Sequence, residues 1–240
     1  MSCNYSTCVL FNDISFKLTI IMKVLFMRLF LLFLLLFTLN YADNIDEKEY
    51  SFRLGYGISE SNDLQDILLG KFQKDGIETS LINLDFGYRI FHNVNQWPLD
   101  IYAKGAITHF NENNVINYIT GEKSQDFFEL TCYIKAYYNI NFNDNRIRLG
   151  VGEGLSFSQE VPVIEVYDAR HYDGSDGDTS KVLNYLDISV DIDIGRLFSI
   201  EMLKDTYLGY TIKHRSGIYG LFNGVSSGSN YRMITIERNF

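Results

Sequence analysis

Proline is scarce in this sequence, two in 240 residues, and charged residues make up only 21%, while Gly (18), Tyr (17) and Phe (18) are plentiful. That balance excludes a disordered chain and a coiled coil. Basic residues are in deficit, 21 Lys and Arg against 30 Asp and Glu, a formal charge of −9. A binder of nucleic-acid backbone needs the opposite sign, so no nucleic acid is expected as partner. Three cysteines make no disulfide framework, and Cys3 and Cys8 fall in a stretch that reads as a leader. No His-Glu-x-x-His, Walker or Cys-x-x-Cys motif is present, so neither metal nor cofactor is called for.

From Met22, Lys23 and Arg28 form a basic start, Leu29–Leu39 is an apolar run of 11 residues, and Ala42 precedes an acidic polar stretch. This is the layout of a cleaved secretory signal peptide. The run is shorter than the roughly 20 residues a spanning helix needs. Counted from Val24 and broken by Arg28, it would serve the alternative reading, an uncleaved anchor. The residues before Met22 read as a misassigned start or a leader extension. Two parts follow: leader 1–42 and a folded domain 43–240, in which Cys132 is the one cysteine.

After Asp43 the apolar period is two. Tyr50, Phe52, Leu54, Tyr56 and Ile58 alternate with Ser51, Arg53, Gly55 and Gly57. The same alternation marks segments 82–90, 99–108, 128–140, 147–157, 182–194, 208–215 and 234–240. Eight such strands behind a signal peptide, the last closed by Phe240, predict an all-β fold: an eight-stranded antiparallel transmembrane β-barrel of the outer membrane. The terminal strand implies barrel-assembly machinery as a partner. A lumen of eight strands is filled by side chains and is no open pore.

The polar faces carry Arg53, Arg89, Lys104, Lys135, Arg148, Lys213 and Arg215 against Asp85, Asp100, Glu129, Asp187, Asp191, Asp193 and Glu237. A closed interior must pair its charges, whereas a solvated face need not, so this balance favours polar-in, apolar-out. The rival is a soluble sandwich or lipocalin-like barrel of reversed polarity. Connections after strands two, four and six are shorter than those after one, three, five and seven, which puts the far end of strand seven at the external side.

There the lipid-facing parity runs Leu208, Tyr210, Ile212 into His214 and Ser216. Residues i and i+2 of a strand lie about 6–7 Å apart, the reach of a base and a nucleophile. Polar groups on a membrane face are costly and mark function, although an interfacial His and Ser near a strand end are also inexpensive.

The stretch Tyr207-Leu-Gly-Tyr-Thr-Ile-Lys-His-Arg-Ser216, the Gly-rich loop ending Gly-Ser-Asn-Tyr231, and the last strand resemble PagL-type lipid A 3-O-deacylases and their acyloxyacyl-hydrolase-like relatives. The resemblance is specific over the last 35 residues or so and architectural before them. It implies a serine esterase acting on an ester-linked acyl chain of lipid A, with Ser216 as nucleophile and His214 as base. The family's Asn after the serine, implicated in holding the oxyanion, is here Gly217, which offers only a backbone N–H. Its third member, a Glu near the start of the last strand, is here Asn230, whose carbonyl can orient a His. Arg232, near the outer rim, is placed to meet a lipid A phosphate. The alternative is a non-catalytic barrel with a structural or surface-interaction role.

Glu153, on the apolar parity of strand five within Gly150-Val-Gly-Glu-Gly154, is expected to be turned inward by a Gly-enabled bulge, or else to be a functional acid. His109 reads as an interfacial residue. The acidic loop from Asp173 to Asp178 has the oxygen-rich look of a calcium site without the full pattern, and reads rather as a solvated loop.

Overall fold

A computed structural model describes residues 50–72, 77–113, 115–116, 121, 123–173, 178–218, 220–222, 224–225 and 228–240, with the side chains of 170–173 omitted. The leader, Cys3 and Cys8 lie outside these residues.

Eight antiparallel strands close into one barrel in sequence order: β1 (Tyr50–Glu60), β2 (Ser80–Phe91), β3 (Leu99–Asn111), β4 (Phe127–Phe142), β5 (Asn145–Ser158), β6 (Val182–Asp193), β7 (Thr206–Ser216) and β8 (Gly228–Asn239). Tyr50 N–H donates to the Phe240 carbonyl and Phe240 N–H to the Tyr50 carbonyl, completing the β1–β8 seam. Helix α1 (Leu64–Leu68) follows β1, α2 (Val163–Asp173) follows β5, and α3 (Ile194–Leu197) joins β6 to β7. No helix among the described residues is long and apolar enough to cross a membrane. β8 begins at Gly228, well before the alternation is visible in the sequence. Its outward positions there are Asn230 and Arg232, so polarity does not alternate although the pairing with β7 and β1 does.

The polarity is inside-out. Leu54, Leu84, Phe86, Leu130 and Ile234 lie bare on the outer face, Phe86 being 51% exposed, which only a hydrocarbon solvent makes inexpensive. Inside, six cations meet six carboxylates. Arg53 contacts Asp85 (2.8 Å) and Asp187 (2.6 Å), Lys104 contacts Asp85 (3.1 Å) and Glu237 (2.9 Å), and Lys135 contacts Asp187. Arg148 lies against Asp191 and Glu237, Lys213 against Glu129, and Arg215 against Glu129 (3.1 Å) and Glu165 (2.8 Å). The rings of Tyr133, Tyr137 and Tyr185 fill the space between, their hydroxyls bonded to Asp85, Glu237 and Asp187. The soluble alternative, with an apolar interior, is excluded.

Two expectations are corrected. Arg89 is not in the lumen. It keeps the luminal parity, paired with Tyr102, but sits half-buried at the opposite rim, above the ionic lattice and beside His92, whose Nδ1 lies 2.7 Å from Asp100. Asp100 and Asp193, counted with the strand acids, also stand outside the lattice, paired with His92 and Arg196, and Glu165 of α2 brings its carboxylates to six. Nor does Glu153 turn inward. β5 keeps unbroken register with β4 and β6, pairing Glu153 with Ile134 and Leu186, and leaves it half-buried on the outward parity. The glycines around it make room for rings: a Cβ at Gly150 or Gly152 would sit 2.9 Å from Tyr137 or Tyr133.

Leu84→Arg, at mid-height on the outer face, is expected to lower stability in a bilayer by about 2–4 kcal/mol. Asp187→Ala, which strands Arg53 and Lys135, should cost about 3–5 kcal/mol. Urea titration of the barrel in lipid vesicles, followed by its heat-modifiable mobility, measures both. Wild-type midpoints would overturn the polarity.

Candidate active site

His214 and Ser216 are successive outward positions at the end of β7. His214 faces Asn230 across β8 and Leu186 across β6, and Ser216 faces Gly228 and Asn184. The pleat forces this: Lys213 and Arg215, which flank His214, point into the lumen and are buried. The imidazole Nδ1 lies 2.7 Å from Asn230 Oδ1. Asn230 is itself oriented from its other end, Nδ2 donating to the Asn62 carbonyl at 2.9 Å. A carbonyl can only accept, so the amide oxygen is the atom turned to the ring and Nδ1 carries the proton. Nε2 is then the unprotonated nitrogen, the state a general base requires. The Ser216 hydroxyl shares this face but, among the described residues, makes no hydrogen bond to the ring.

The Asn62 contact also explains why an amide suits this position. A carboxylate at 230 would set a charged oxygen against the Asn62 carbonyl, with Asp63 next in sequence.

The outward face here is not bare. Ile212 keeps the lipid-facing parity yet is buried, as is Ile67 of α1. The segment from Asn62 to Phe72 reaches this face, its Phe72 ring 4.9 Å from the Arg232 guanidinium. Arg232 Nε lies 2.9 Å from Glu60 Oε2, in ion contact though not aligned as a hydrogen bond. The residue expected to meet a phosphate is therefore already engaged within the chain. Gly217 is buried, and a Cβ there would sit 2.0 Å from the Val225 carbonyl. An asparagine could not take this place, because the Val225 backbone fills the space its side chain would need.

His109 is outward and half-buried, its ring 4.9 Å from that of Phe128. Of the acidic loop, Asp178 is exposed; the Asp173 side chain and residues 174–177 lie outside the described residues. Gly224-Val-Ser-Ser-Gly228 matches the Gly-x-Ser-x-Gly pattern but leads into a strand and not a helix, and Ser226 is also outside them.

No protein-family model matches the chain, and no curated protein does either. Among solved structures it is similar to the outer membrane enzyme PagL, at 9% identity, covering 79% of this chain and 98% of that one, with a TM-score of 0.46. Neisserial surface protein A matches at 13% identity, 81% and 100% coverage and a TM-score of 0.45. Ail, the attachment invasion locus protein of Yersinia pestis, solved with the heparin analogue sucrose octasulfate, matches at 12% identity, 81% and 99% coverage and a TM-score of 0.37. At such identity and superposition, any chemistry has to be read from this chain's own residues.

On the luminal side of the same strands lies a group the sequence does not announce. The first turn of α2 enters the external mouth, where Ile164 packs with Leu81, Phe110, Phe127, Tyr231 and Met233. Glu165, buried, accepts from Arg215 Nη1 at 2.8 Å and from Ser229 Oγ at 2.6 Å. Glu112, after β3, is also buried. Its carboxylate lies 3.2 Å from the Val163 N–H and 3.0 Å from Ser124 Oγ, capping the helix. Burial pushes the Glu112 carboxyl up from 4.5 to about 7, with Glu165 and Asp126 adding to the rise and the two hydrogen bonds opposing it. Burial also raises Glu165, against the pull of Arg215.

A raised acid favours the protonated, docked state. Docking of α2 is therefore strongest below about pH 4.5 and weakens as pH climbs to about 7, by about 3 kcal/mol for Glu112. Protection factors of the α2 amides should fall between pH 5 and pH 8, and Glu112→Gln should flatten that fall. A pH-independent wild type would refute it.

Proposed function

We propose that this chain is an outer-membrane serine esterase that removes an ester-linked acyl chain from lipid A. The observation that carries the reading is the 2.7 Å bond between His214 Nδ1 and Asn230 Oδ1, with the amide oriented by Asn62. That bond leaves Nε2 as a base on the outward face, two residues from a hydroxyl and at the level of the outer leaflet. In the reaction Ser216 Oγ attacks the ester carbonyl and His214 Nε2 takes its proton. The imidazolium then returns the proton to the departing alcohol oxygen of the ester, and water hydrolyses the acyl-serine by the reverse exchange. Asn230 holds the ring throughout. The oxyanion's backbone donor is the Gly217 N–H. No metal or cofactor takes part. Lipid A, or lipopolysaccharide carrying it, is the partner within the membrane, Arg232 being released from Glu60 to meet a phosphate, and the C-terminal strand is the segment handed to the barrel-assembly machinery.

The second reading, a non-catalytic barrel with a structural or surface-interaction role, is favoured by the burial of Gly217 and by the missing bond between Ser216 and His214.

Mass spectrometry of lipid A separates the two. Cells expressing the wild type should accumulate a species lacking one ester-linked acyl chain, and Ser216→Ala should abolish it. Asn230→Leu should reduce turnover by a factor on the order of 10⁴, as removal of an orienting group does. Asn230→Asp should also lose activity, because of the Asn62 carbonyl. Identical acylation in wild type and Ser216→Ala, with both folded in the membrane, supports the non-catalytic barrel.

A further inference from the structure

We propose that Glu165 is a positioning residue for the external His214–Asn230 pair, acting from inside the barrel through the backbones of β7 and β8. The proposal rests on the preceding reading in taking that pair as the working one. Its basis is register. Arg215 and Ser229 are directly paired across β7 and β8, and the next pair along is His214 and Asn230. The first pair faces the lumen and the second faces the leaflet. One carboxylate, Glu165, bonds both members of the luminal pair, Arg215 at 2.8 Å and Ser229 at 2.6 Å. It thus fastens the two strands to each other one residue away from the His–Asn bond.

The flanks on each strand make the fastening matter. His214 lies between Lys213 and Arg215, two buried cations that share Glu129. Glu165 is the second anion that lets both remain. Without it two positive side chains hold to one carboxylate in a sealed space, and their repulsion acts on the backbone that carries His214. On β8 the opposite flank of Asn230 is already fixed, because the Tyr231 hydroxyl lies 3.0 Å from Thr79 Oγ1 and its ring packs on Phe110. Loss of Glu165 therefore releases one side of the pair while the other stays put, and the two slide out of register. Glu165 is delivered by α2, whose first turn is capped by Glu112, so the external mouth governs a site on the outer wall without touching it.

The test reads His214 directly. The barrel is labelled with ¹⁵N-histidine in phospholipid nanodiscs at pH 6.5, where Glu112 is still largely protonated and α2 docked, without substrate, and His214→Gln assigns the signal. Wild type should show a single tautomer protonated at Nδ1. Glu165→Ala should spread this into a mixture of tautomers and speed solvent exchange of the Nδ1 proton about tenfold. Should Glu165→Ala not fold, Ser229→Ala, which removes only the β8 half, and Glu165→Gln, which removes only the charge, should each raise exchange severalfold. The effect of their double mutant should fall short of the product of the two single effects. Wild-type tautomer and exchange in a folded Glu165→Ala barrel, or in both milder variants, overturns the clamp. Because no substrate is present, the outcomes separate: undeacylated lipid A in cells expressing the wild type, together with a disturbed tautomer in Glu165→Ala, removes the esterase and leaves the clamp. Deacylation by a Glu165→Ala protein with an undisturbed ring does the reverse.

Discussion

A lumen closed to water cannot leave a charge unpaired, and that constraint organises this molecule. Among the described residues, six cations and six carboxylates form one lattice inside the wall, and each of the six cations touches a carboxylate. The cost of withdrawing such groups from water is recovered only through close pairing and additional hydrogen bonds. The tyrosines supply those bonds and also fill volume. The ionic lattice therefore sets which strands face one another at each level, and through the pleat it sets what the outer face presents at that level.

The outer rim of β7 and β8 follows from this. Lys213, Arg215, Ser229 and Tyr231 are committed inward, so His214, Ser216 and Asn230 have to face the leaflet. Histidine and asparagine then satisfy each other, and the first external loop supplies the carbonyl that orients the amide. Buried polar groups need partners in hydrocarbon more than in water, which explains how a short loop segment comes to be held against the barrel wall.

How much of this was legible in the sequence depends on range. Alternation around residues such as Ile188, Val190 and Phe86 is a local signal, and strands, polarity and the outward parity of His214 could be read from it. Asn230 and Arg232 interrupt the apolar face of β8 without interrupting its pairing, so the loop before it sets where the strand starts more clearly than the alternation does. The glycines flanking Glu153 look like a bulge in the sequence, whereas they accommodate tyrosines from the neighbouring strand. The parity of Arg89 records its facing but not its height. Glu165 carries no sequence signal: flanked by Ile164 and Val166, it has no period of two, and its partners are 50 and 64 residues away.

The sequence by itself determined a membrane-embedded barrel and the facing of its strand residues, because side-chain direction in a strand repeats every two residues and needs no partner to be known. Tertiary structure decided which charge answers which, that Arg232 is held by Glu60, that Gly217 packs against the Val225 backbone, and that α2 carries the sixth carboxylate into the mouth. Those are distances between segments remote in the chain. They are settled only when closure of the barrel brings the segments together and shared burial forces each polar group to take a partner.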